Sequence, residues 1–134
     1  MIALDTSVVV AAFASWHEGH RSALAAMARK PRIPAHVLIE SFSVLTRLPA
    51  PHRSSPEIVQ AFLEERFPQA PLSLPGAALR ALVHAAVAAR VSGGAIYDAL
   101  VAETARRARA ILLTRDRRAV STYERLAVRY ELIG

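Results

Sequence analysis

Cysteine is absent from this 134-residue chain, which removes disulfides and every thiolate metal site. Lysine occurs once, at Lys30, and aspartate only three times. The five glycines build no phosphate-cradling loop, since Gly93-Gly94 reads as a turn. Long hydrophobic runs are missing too. The longest, Val8 to Ala14, is far short of the roughly 18 apolar residues that cross a bilayer. No basic segment leads into an apolar one near Met1, so no signal peptide is expected. A hydrophobic fraction of 53% argues against disorder. Together these absences predict one soluble, cytoplasmic domain over residues 1–134, long enough to bury a single core.

What the chain does have is arginine, and with it a net charge of +6. Such a surplus favours a polyanionic partner, although a GC-rich genome yields the same composition. Its distribution adds something, because Arg106, Arg107, Arg109, Arg115, Arg117 and Arg118 crowd around Asp116. Guanidinium groups grip phosphates bidentately. Phosphate contacts are therefore expected from Arg115, Arg117 and Arg118, while Arg106 and Arg107 also suit a solvated helix face.

Short apolar runs alternate with helical patterns. Ile2 to Leu4, the segment around Ile33, Leu72 to Leu74, Ala110 to Thr114 and Val128 to Ile133 read as strands. Helices are expected over 20–29, 36–48, 55–66, 76–90, 95–109 and 119–126. Val8 to Phe13 fits strand or helix. Ser55-Pro56 is a capped helix start, and Pro49-Ala50-Pro51 a helix stop. The alternation predicts βαβ units and a parallel sheet.

Every aspartate falls where such a sheet gathers distant residues. Asp5 ends the first strand, Asp116 follows a late one, and Asp98 opens the helix after Gly93-Gly94. Ligands of open parallel sheets bind beyond the carboxyl ends of the strands, where strand order reverses. Glu40 is a fourth candidate, with Val37 and Val44 along its helix stripe; Glu103 is a weak fifth. Each acid also has an ordinary use. Asp5 can cap a helix, Asp98 can favour a helix N-terminus, Asp116 can shape a turn, and Glu40 can pair with an arginine. Jointly the ordinary uses fare worse. Three carboxylates within ~5 Å repel by ~3 kcal/mol per pair at a dielectric near 20, rivalling the whole ~5–15 kcal/mol stability of a domain. A divalent cation resolves this, and oxygen donors alone select Mg²⁺ or Mn²⁺. The pairs His36/Glu40 and His17/His20 match no zinc spacing.

Asp5-Thr6-Ser7, Glu40, Tyr97-Asp98-Ala99-Leu100 and Thr114-Arg115-Asp116, in this order, resemble a PIN domain, and the chain length is similar to that of VapC toxins of VapBC pairs. The resemblance implies an α/β/α sandwich on a short, mainly parallel sheet. It further implies a Mg²⁺-dependent endoribonuclease that leaves 5′-phosphate and 3′-hydroxyl ends. By the same resemblance Asp5, Asp98 and Asp116 hold metal, Glu40 helps directly or through water, and the hydroxyls of Thr6 or Ser7 and of Thr114 orient the carboxylates. Arg117 and Arg118 stand where relatives often carry one more acid, so a complete second metal site does not follow. A VapB-like antitoxin and a homodimer are implied as partners, with apolar surface expected around Val37, Phe42, Leu45 and the helix Ile58 to Phe62.

Two other readings use the same residues. A PIN fold can bind RNA and block translation without cutting. An aspartate-nucleophile phosphatase needs a second aspartate two residues after Asp5, where Ser7 stands, and a lysine, of which only Lys30 exists.

Overall fold

A computed structural model describes residues 1–134. Three parallel strands, β1 (Ile2–Leu4), β2 (Ile111–Thr114) and β3 (Tyr130–Leu132), lie in the order β1-β2-β3. Ile2 faces Ile111, and Leu112 faces Tyr130. Every residue of β1 is buried, as expected of a strand covered on both faces.

Beyond β1 the sheet thins to single parallel bridges, Ala3 to Arg32 and Pro34 to Leu72. The Arg32 N–H donates to the Ile2 carbonyl at 2.9 Å, and the Leu72 N–H to that of Ile33 at 2.9 Å. The strands expected around Ile33 and at 72–74 are thus reduced to one-residue contacts. Pro31, Pro34, Pro71 and Pro75 cannot donate to a ladder, and proline is confined to sheet edges for that reason.

Seven helices cover the sheet: α1 (Thr6–Phe13), α2 (His20–Met27), α3 (Ala35–Arg47), α4 (Pro56–Arg66), α5 (Gly76–Ala88), α6 (Ala95–Arg107) and α7 (Val120–Arg125). The ambiguous stretch after Asp5 is helical. Asp5 is its N-cap, accepting the Val8 N–H at 3.4 Å, and Val8, Val9, Ala11 and Ala12 are buried. Ser55 caps α4 in the same way, with Pro56 at the first position.

Counting the bridges, the spatial order runs Leu72, Arg32–Pro34, β1, β2, β3. The chain moves one way from β1 and later returns to its other side, so strand order reverses between β1 and β2. Right-handed crossovers then place α1 to α4 on one face and α5 to α7 on the other. The packing agrees, since α1 contacts α2, α3 and β2, while α6 contacts α5, α7 and β2. The result is an α/β/α sandwich. The two layers also touch directly, through α3 and α6.

Candidate functional site

Asp5 leaves β1, and Asp116 stands two residues beyond the end of β2. These strands are parallel neighbours, so both carboxylates emerge at one edge, at the point of strand-order reversal. Glu40 comes from the second turn of α3 and Asp98 from the first turn of α6. All four line one pocket of about 130 Å³ together with Thr6, Ser7, Val101 and Tyr123. No basic side chain lines it. Larger clefts exist, but their linings are mainly apolar or mixed.

Asp5 is 5% exposed, and hydroxyl groups hold both its oxygens. Ser7 donates to Oδ1, and Tyr123 donates to Oδ2 at 2.8 Å. Burial pushes this carboxyl above the usual range, while the bonds from Ser7, Thr114, Tyr123 and the Val8 N–H pull it back. Asp98 is pushed up to about 6, by burial first and then by Asp116, Asp5 and Glu40, with His36 opposing. Asp98 therefore feels the charge of the other three acids. Burial and the Asp5 charge likewise raise the Tyr123 phenol, which stays a proton donor.

Asp116 also shapes its turn. Its N–H donates to Thr114 Oγ1 at 3.0 Å, and its Oδ1 accepts the Arg118 N–H at 2.9 Å. Glu40 pairs with a histidine rather than an arginine, its Oε2 lying 2.9 Å from His36 Nε2. The His36 ring stacks on Tyr97, with centroids 5.3 Å apart and planes 6° from parallel.

No three of these side chains close into a tight ligand set around a point; the pocket is open and its carboxylates repel. The residues nevertheless fit a hard divalent cation. Their donors are oxygens only, the type Mg²⁺ and Mn²⁺ take, and the mutual repulsion at Asp98 is what such a cation relieves.

Several expected roles change. Thr6 lines the pocket, but Ser7 is the residue that bonds Asp5, and it also accepts the Arg115 N–H at 2.8 Å. Arg115 does not face the pocket. Its guanidinium packs against Gly19 and Gly134, 3.9 Å from Glu18, with the side chain 14% exposed. Successive residues of an extended segment point to opposite faces, so Thr114 and Asp116 on one face send Arg115 to the other. Arg117 and Arg118 are exposed. Glu103 is committed to Arg106, at 2.6 Å, and to Arg107, so the weak fifth acid drops out. Val37 and Leu45 belong to the core and offer no docking surface. The apolar groove beside them, about 500 Å³, is lined instead by Ile39, Phe42, Leu63 and Phe67.

Tyr123 escaped sequence reasoning. Its only signal is general: a phenol buried on a short helix must find a partner for its O–H.

The PIN-domain family model matches residues 2–125. Ribonuclease VapC40 of Mycobacterium tuberculosis is 52% identical over 133 residues, covering 99% of both chains. Ribonuclease VapC27 of the same species is 41% identical over 128 residues, covering 95% of this chain and 93% of the other. The crystal structure of FitAcB from Neisseria gonorrhoeae superposes with a TM-score of 0.69 at 19% identity, covering 97% of this chain and 96% of that one. Model match, near full-length identity and shared sandwich agree: the chain belongs to the PIN-domain family, and within it to the VapC group.

Proposed function

We propose that this protein is a metal-dependent endoribonuclease of the VapC toxin kind, with Asp5, Glu40, Asp98 and Asp116 as its centre. One observation carries the reading. In a chain of net charge +6, four carboxylates share a pocket that no basic side chain lines. RNA as substrate is supported by the names of the two Mycobacterium tuberculosis relatives, both ribonucleases.

Asp5, Asp98 and Asp116 would hold Mg²⁺, with Mn²⁺ as a substitute, and Glu40 would assist directly or through water. A cation held there would lower the pKa of a water and polarise a phosphoryl oxygen. The chain's own groups do the positioning. Ser7 and Tyr123 fix both oxygens of Asp5, and Thr114 fixes the backbone that presents Asp116. Hydrolysis forms a bond from the water oxygen to phosphorus and breaks the bond from phosphorus to O3′. The leaving oxygen takes a proton, so 5′-phosphate and 3′-hydroxyl ends result. Arg117 and Arg118, both exposed, would hold flanking phosphates, whereas Arg115 supports the fold. A VapB-like antitoxin restrains the enzyme and a homodimer is its assembly; the apolar groove between α3 and α4 suits the antitoxin.

The test uses purified protein freed of antitoxin, total RNA, and Mg²⁺ or Mn²⁺, with Asp98→Asn and EDTA as controls. Cutting by the unmodified protein alone supports the assignment. Equal cutting by Asp98→Asn removes these residues from the chemistry. Retention of RNA without cutting favours a binder that blocks translation by occupancy.

A further inference from the structure

The aromatic pair at the rim of the acidic pocket has no part in the chemistry above. Tyr97 is 56% exposed, a large value for a tyrosine whose ring already lies against another. One of its faces is stacked on His36, nearly parallel at 6°. His36 is itself pinned, because its Nε2 bonds Glu40 Oε2 at 2.9 Å. The pair is thus tied to the pocket twice. Tyr97 precedes Asp98 in the first turn of α6, and His36 holds Glu40, and both of these acids line the pocket.

We infer that the outer face of Tyr97, backed by His36, is a stacking platform for an unpaired nucleobase of the RNA, next to the phosphate being cut. This rests on the nuclease reading and names how that site takes its substrate. An exposed aromatic ring offers an apolar face that a stacked base can cover. A base covers it without regard to its identity, since every base has a π-face. A ring held by a fixed neighbour loses little freedom on stacking. Bases become available for such contact where RNA is single-stranded, so the platform selects loops and tails over duplex. An apolar cleft that His36 also lines, about 340 Å³, is walled by Ile39, Leu72, Leu79 and Leu100. The Thr104 hydroxyl there is spent on the Leu100 carbonyl at 2.7 Å.

The test compares Tyr97→Ala, Tyr97→Phe and Tyr97→Trp on a single-stranded RNA oligonucleotide. Tyr97→Ala is expected to raise KM roughly 10-fold, within the range for loss of one base stack, with kcat changed far less. Phe and Trp should rescue KM, and Mg²⁺ affinity measured by calorimetry should be the same in all. Binding is measured separately, by anisotropy in EDTA on an Asp116→Asn background, where no cutting intervenes. There Tyr97→Ala should weaken single-stranded RNA by a similar factor and leave a duplex of equal length unaffected. An unchanged KM and an unchanged anisotropy Kd would overturn the platform, even if the protein cuts RNA well. If the protein does not cut at all, the nuclease reading falls, and the anisotropy comparison still decides about Tyr97. Equal weakening for duplex and single strand, or no rescue by Phe and Trp, would also count against it.

Discussion

At the scale of single residues, the site is a contest between burial and charge. Asp98 has its pKa raised from 3.8 to about 6. Between those values the native state holds a proton that the unfolded chain has already released, so stability in EDTA falls as pH rises through this window. At pH 7.5 Asp98→Asn should therefore be more stable than the unmodified protein. We expect ~1–2 kcal/mol after discounting a half-exposed group for solvent screening, and no gain near pH 4. Urea unfolding at the two pH values checks this; a gain of equal size at both would refute the charge explanation. By the same linkage, affinity for Mg²⁺ should climb as pH rises through about 6. Tyr123 acts in the opposite sense, by favouring the ionised form of Asp5. Tyr123→Phe leaves a buried oxygen without its donor and should cost ~1–3 kcal/mol of stability, together with weaker Mg²⁺ binding. An unchanged urea midpoint and Mg²⁺ affinity would show that the 2.8 Å bond contributes nothing.

At the scale of elements, four segments turn back through the left-handed region without glycine. Lys30, Arg90, Arg109 and Ala127 have φ of 55°, 59°, 57° and 58° and follow α2, α5, α6 and α7. The next N–H closes the helix end in three of them, as when Ala110 donates to the Ala105 carbonyl at 2.9 Å. Glycine is the usual residue there, and a side chain in this region costs ~1–2 kcal/mol. Arg109→Gly should accordingly raise Tm by a few degrees, since part of the relief is returned through the looser unfolded chain. A lower Tm in differential scanning calorimetry would mean that the Arg109 side chain has a stabilising role of its own.

The helices were legible because their caps and periodicity are local: Ser55-Pro56 starts α4, and Gly93-Gly94 precedes α6. β1 and β2 were legible because they are short and apolar, β2 up to its last residue, Thr114. The edge of the sheet was not. Proline near Ile33 and Leu72 reduced two strands to bridges, and hydrophobicity alone does not register a missing N–H. In the site, the four acids could be read from chain positions once a parallel sheet was assumed. The direction of Arg115 was available from strand alternation. Tyr123 was not, because its partner Asp5 lies 118 residues away.

At the scale of the molecule, an acidic pocket sits in a basic protein. On the proposed reading arginine draws RNA in by charge, and this attraction should weaken sharply with salt. Anisotropy of single-stranded RNA with Asp98→Asn in EDTA, between about 50 and 200 mM salt, should give a log–log slope of at least about −1.4, the value for two phosphate contacts. Arg117→Ala should flatten it by about 0.7. A flat slope with Asp98→Asn alone would leave the basic charge of the chain without a role in binding.

Ser7 ties Asp5 to the Arg115 backbone across 108 residues, and Tyr123 reaches back still further. A chain emerging from the ribosome carries Asp5, Ser7 and Val8 almost at once, yet lacks the Arg115 N–H that anchors Ser7 and the Tyr123 phenol until β2 and α7 have followed. The pocket that gathers Asp5, Glu40, Asp98 and Asp116 is therefore completed only when synthesis is nearly finished.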